Sequence, residues 1–151
     1  MLSQKARTWV LTADRAKAKT FEWLPQDKFL KELNSLEESD ARKPERELKA
    51  DRSGHGNNPN GRHAVDDKTS YKQQASQNFL KTVAEYLCKK KTLTSYDKLI
   101  VIAQDEVYNT IRDNLSPVAQ GKISMHHAKD LSNLPQQSLT DYYNKHMRVL
   151  N

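Results

Sequence analysis

Nowhere in these 151 residues is there an apolar run near the roughly 20 residues that span a bilayer. The longest apolar stretch, Leu99-Ile100-Val101-Ile102-Ala103, has the length of a buried strand. The N-terminal segment MLSQKARTWVLTADR has no hydrophobic region before its first charges, so neither a secretory signal nor a membrane partner is expected. Cysteine is almost absent. Cys88 stands alone, which excludes an internal disulfide and suits the reducing cytoplasm. The five histidines show no CxxC or HExxH spacing, and His126-His127, adjacent on a strand, would point to opposite faces. No nucleophile with a base, and no carboxylate pair on adjacent elements, stands out. Neither a metal nor a cofactor is expected, and nothing specifies an enzyme.

Glycine is also scarce, but three of the four, Gly54, Gly56 and Gly61, fall within eight positions of the stretch RSGHGNNPNGRHAVDD. Gly61 is followed by Arg62-His63 rather than Lys-Ser/Thr, so this is no Walker loop, and no strand runs into it as a dinucleotide fingerprint requires. Its surroundings are charged: Asp40, Arg42, Lys43, Glu45, Arg46, Glu47, Lys49, Asp51 and Arg52 alternate in sign without apolar anchors. A structureless connection of about thirty residues in a compact domain is either disordered or functional. The stretch from about 38 to 66 is therefore expected to be a long flexible loop.

What the chain does carry is positive charge. Its formal net charge of +6 favours acidic partners: nucleic acid, ribosome or anionic surfaces. Apolar residues, at 36%, are enough for one core in a chain of this length but leave part of it unpacked.

Thr8 to Ala13 and Ala16 to Trp23 alternate as a hairpin about Asp14-Arg15, where Asp is expected to bond its own backbone. Pro25-Gln26-Asp27 breaks that run, and Phe29 to Leu36 resumes it as a third antiparallel strand. From Thr69, Tyr71, Ala75, Phe79, Val83 and Leu87 recur every four residues, the mark of an amphipathic helix. Lys89-Lys90-Lys91 suits the negative end of its dipole. Tyr96 to Ala103 reads as a strand apolar on both faces. A short helix through Val107, Ile111 and Leu115, which Pro117 follows, precedes a strand from Lys122 to His126. A C-terminal helix through Leu139, Tyr143 and Met147 completes the order. One α/β domain over residues 1–151 follows, with a mixed sheet of three antiparallel strands and then α-β-α-β-α.

Several stretches, in order, carry a family resemblance: Ala13-Asp14-Arg15-Ala16-Lys17-Ala18 with Phe21-Glu22, Glu47-Leu48-Lys49-Ala50-Asp51-Arg52, Gly61-Arg62-His63-Ala64, Leu115-Ser116-Pro117 and Lys129-Asp130-Leu131. Together they resemble the bacterial host-attachment protein family, which is itself similar to the middle domain of eukaryotic and archaeal peptide-chain release factors. The resemblance implies a mixed sheet of the kind shared by that domain and certain ribosomal proteins. In release factors a glycine-rich loop leading into a long helix carries a Gly-Gly-Gln tip that promotes peptidyl-tRNA hydrolysis on the ribosome. Here the corresponding stretch reads Asn60-Gly61-Arg62-His63, and Gly-Gly-Gln occurs nowhere.

The expectation is thus a non-enzymatic RNA- or ribosome-associated module in the cytoplasm. Its phosphate contacts would be Arg52, Gly54, His55, Gly56, Gly61, Arg62, His63 and Lys68, since glycine lets backbone approach a phosphate and arginine forks onto its oxygens. A protein-interaction factor affecting host attachment is the alternative reading. A hydrolase of peptidyl-tRNA or RNA, with His63 as acid or base, is a further one.

Overall fold

The computed structural model describes residues 6–38 and 61–147, with residues 61–69 described as backbone only. Three strands come first: β1 (Thr8–Ala13), β2 (Lys17–Leu24) and β3 (Phe29–Glu37). A long helix, α1 (Gly61–Cys88), and one short turn of helix, α2 (Lys90–Leu93), lead to β4 (Lys98–Ile102). Helices α3 (Asp105–Asp113) and α4 (Pro117–Lys122) then cross to β5 (Ile123–His127). The described chain closes with α5 (Gln136–Tyr142), whose last turn widens to π geometry over Tyr143–Met147.

The five strands form one mixed sheet in the order β3-β2-β1-β4-β5. β1 pairs antiparallel with β2 and parallel with β4, and β5 runs parallel to β4. Alternation divides the side chains between two cores. Trp9 and Leu11 of β1 and Leu99 and Val101 of β4 face α1, α3 and α4, where they meet Phe79, Val83, Leu87, Val107 and Ile111. Val10, Ile100 and Ile102 face the other way, onto Leu139, Tyr143 and Met147 of the C-terminal helix. Both faces of β4 are covered by helix, which is why its sequence reads as an unbroken apolar run.

The observed mixed α/β sheet of five strands flanked by helices matches the expected class, but several boundaries move. The long helix begins at Gly61, not Thr69, so Gly61, Arg62 and His63, expected in a loop, lie on helical backbone, as does Lys68. The apolar period that marks the start begins only at Tyr71, whereas the residues after Gly61 include no further glycine or proline to stop a helix. The helix also ends at Cys88, before the lysines, and its last turn holds no basic residue. Lys90 and Lys91 therefore belong to the next turn, α2, and Lys89 precedes it as its N-cap residue; none of the three lies in the last turn of α1. Where one short helix followed by Pro117 is expected, Pro117 opens a second, α4: Ser116 caps it by accepting from the Ala119 N–H at 3.3 Å, with proline in the first turn. The last strand is shifted by one residue and takes in His127.

That shift sets two histidines on opposite faces of β5, as adjacent strand residues must be. His126 donates from Nε2 to the Ala103 carbonyl at 2.8 Å and stacks on Tyr108, ring centroids 3.8 Å apart. His127 lies on the other side, its Nε2 2.6 Å from the Tyr142 hydroxyl. Burial, then the charges of Lys129, His126 and His146, hold the His127 ring below the ordinary histidine range. The folded state thus binds a proton there less readily than the unfolded chain, so stability should fall as pH drops from about 7 through the unfolded value near 6.5. Unfolding midpoints measured across that range test this. His127→Gln should flatten the dependence, and an unaltered slope in that variant would assign it to other groups.

Candidate functional site

The two ends of the sheet differ in charge. At the C-terminal ends of the parallel strands, β1 turns back into β2 while β4 leaves through α3 towards β5. Adjacent parallel strands whose connections depart to opposite sides leave a crevice between them. Here that crevice is a cleft of about 320 Å³ lined by Asp14, Arg15, Gln104, Val107 and Asp130, with Ala13 and Ala16.

Asp14 organises it. One carboxylate oxygen accepts from the backbone N–H groups of Ala16, at 2.8 Å, and Lys17, at 2.7 Å, closing the hairpin turn. The other accepts from the buried Ser132 hydroxyl at 2.5 Å. That hydroxyl also lies 2.8 Å from Asp130 Oδ1, so a single hydrogen is shared between two carboxylates. Lys17 donates to the Asn133 side chain at 2.8 Å and fastens the same turn to the same loop. At the rim, Arg15 pairs with Glu106 of α3. The Asp14 turn is therefore a structural lock, and its acceptors are largely occupied from within the protein.

The opposite end is basic. The segment joining α1 to β4 carries Lys89, Lys90 and Lys91, and β4 opens with Lys98, all exposed. Lys98 sits beside Thr8 in the parallel register, at the end of the sheet where β1 and β4 begin, and alternation sets it on the face of Ile100, opposite Leu99, which meets α1. Among the described residues none of the four is paired with a carboxylate. Two further cations hold the segment in shape. Arg7 donates to the Thr94 carbonyl and bonds Asp97 through its backbone N–H at 2.8 Å, which holds the Asp97 carboxyl below the ordinary range. Lys122 donates to the carbonyls of Leu93 and Tyr96 at 2.7 and 2.8 Å. Tyr96 itself is buried beneath them, its hydroxyl donating to the Leu87 carbonyl, and burial pushes its pKa up to about 12. The four exposed lysines thus stand on a rigid edge.

A family model described as "Protein required for attachment to host cells" matches residues 9–142. The chain belongs to this host-attachment family. No curated protein matches it with significance. Within the family match, the stretches that carried the resemblance fall in different places. Asp14-Arg15 and Asp130 meet in the cleft, and Ser116 caps α4 while its backbone N–H lies 3.3 Å from Cys88 Sγ. Glu47 to Arg52 lies outside the described residues.

Of the residues expected to meet phosphate, Arg52, Gly54, His55 and Gly56 also lie outside the described residues. Gly61, Arg62, His63 and Lys68 are on the first turns of α1. The basic end escapes a reading of the sequence because only the fold sets Lys98 at the same end of the sheet as the segment that carries Lys89–Lys91. Their run is legible; the missing carboxylate partners are not. No described helix of this host-attachment-family chain is long and apolar enough to cross a membrane.

Proposed function

We propose that this member of the host-attachment family is a non-enzymatic module that binds RNA, free or in the ribosome, in the cytoplasm. The observation that carries the reading is the rigid edge of exposed Lys89, Lys90, Lys91 and Lys98, without carboxylate partners among the described residues. Lysine meets a phosphate as a point charge, and a row of them follows a polyanion without demanding a sequence. Arg52, Gly54, His55, Gly56, Gly61, Arg62, His63 and Lys68 are proposed as further contacts. The net charge of +6 favours encounter with such a partner.

The family description favours a second reading, a protein-interaction factor acting in attachment to host cells. Salt separates the two. Four phosphates neutralised on a single strand give a log–log slope of about −2.8, so affinity should fall roughly fifty-fold between about 50 and 200 mM salt. Fluorescence anisotropy with labelled RNA measures it, and co-sedimentation with ribosomes should show the same sensitivity. No RNA or ribosome binding at low salt would leave the protein-interaction reading.

A further inference from the structure

Aromatic rings tie the last turn of α5 to β5. The Tyr142 ring stands edge-on to His127, with centroids 5.6 Å apart, and lies 4.5 Å from the His146 ring. At 2.6 Å the bond between Tyr142 and His127 has the length of an O–H donor, so the hydroxyl donates to Nε2 of a neutral imidazole. Directly after Tyr142 the helix widens to π geometry. There Tyr143 and Met147 enter the second core, and Tyr143 packs on Trp23 with centroids 4.6 Å apart. The groups whose charge reaches His127 are all basic: Lys129, His126 and His146. The π turn adds Lys145, and β4 sets only Ile102 beside His127. Carboxylates of the adjoining segments are engaged elsewhere, Asp130 with Ser132 and Asp141 with Gln137. His126, on the opposite face, differs in having the Asp105 carboxylate 3.9 Å away.

We infer that the turn Tyr142–Met147 is an acid-sensitive latch, held on β5 while His127 is neutral and loosened when that ring takes a proton. Protonation puts an N–H where the tyrosine hydrogen points, so the hydroxyl must turn away. It also adds a cation beside Lys129 and His146, in a partly buried place with no carboxylate partner among the described residues. Moving the turn alone relieves both, because β5 stays paired with β4 along its length. Openings of this kind are local and cost less than global unfolding. What loosens is the cover that Tyr143 and Met147 give to Val10, Phe21 and Ile100 on the second face of the sheet. None of this depends on what the lysines bind.

Hydrogen exchange of the whole chain, read by mass spectrometry from neutral to mildly acidic pH and corrected for intrinsic exchange rates, tests the latch. The opening constant of the peptide spanning Leu139–Met147 should rise below about pH 6.5, by up to roughly tenfold per pH unit, the limit for one proton. The short turn α2, at the opposite end of the sheet, should show no such rise. His127→Gln cannot titrate and should abolish the dependence. Tyr142→Phe keeps the imidazole but removes its donor, so the segment should open more already at neutral pH and depend on pH less steeply. An opening constant independent of pH in the unaltered chain, or the same dependence in His127→Gln, would overturn the latch. An equal rise in α2 would also overturn it, since the proton would then act on the whole fold.

Discussion

Phe79→Ala is expected to cost about 3–5 kcal/mol of folding stability. Phe79 lies on the packed stripe of α1 with Leu80, Val83, Ala84 and Leu87, 3% exposed and pressed on the face of the sheet formed by β1 and β4. Removing the ring deletes its transfer energy and leaves a cavity. The cavity cannot close easily, because Leu80 and Val83 already hold the helix at its distance from the sheet. Denaturant unfolding of the variant reads the loss directly. A change below about 1 kcal/mol would mean that α1 is not clamped to the sheet as described.

Asp14→Ala should have the next largest effect, about 2–3 kcal/mol, although Asp14 lies in a turn and not in the core. One carboxylate closes the β1–β2 turn through two backbone N–H groups and ties it to Ser132, 118 residues further on. Alanine leaves the Ser132 hydroxyl, 1% exposed, with Asp130 as its remaining acceptor and opens the turn to water. The conservative change Asp14→Asn should behave differently. Its amide oxygen can still accept from Ala16 and Lys17, while the amide N–H₂ donates to Ser132, whose own hydrogen then goes wholly to Asp130. That variant should stay within about 1 kcal/mol of the parent, since each bond is exchanged and none is lost. Denaturant unfolding of the two variants side by side makes the comparison. Comparable losses in both would show that charge, and not the hydrogen-bond pattern, holds the turn.

Much of this fold is legible in the sequence because burial imposes a period. β1 and β2 alternate, β4 is apolar throughout, and α1 repeats every four residues from Tyr71 to Leu87, each as its covered faces require. The signal fails where no apolar period exists. Gly61 to Lys68 are helical without one, so the period places the helix start eight residues late. At Ser116-Pro117 the helix α4 goes unread for a different reason: proline follows one helix and starts another with equal ease, and the serine cap decides which. Functional features are harder still. The Asp14 turn is legible as local chemistry, whereas its bond to Ser132 depends on a contact between distant segments. The shape of the lysine-bearing segment after α1 needs the bonds that Arg7 and Lys122 make to it from distant parts of the chain. Arg52, Gly54, His55 and Gly56, which stand out in the sequence by composition, lie outside the described residues.

The central claim is that Lys89, Lys90, Lys91 and Lys98 neutralise phosphates, and the salt dependence of RNA binding in a variant with all four changed to alanine tests it most directly. These side chains are exposed, so the variant should unfold within about 0.5 kcal/mol per site of the parent. Its log–log salt slope should be shallower by about 2.8, at about 0.7 for each phosphate released. A slope equal to the parent's, with affinity retained at every salt concentration, would contradict the claim.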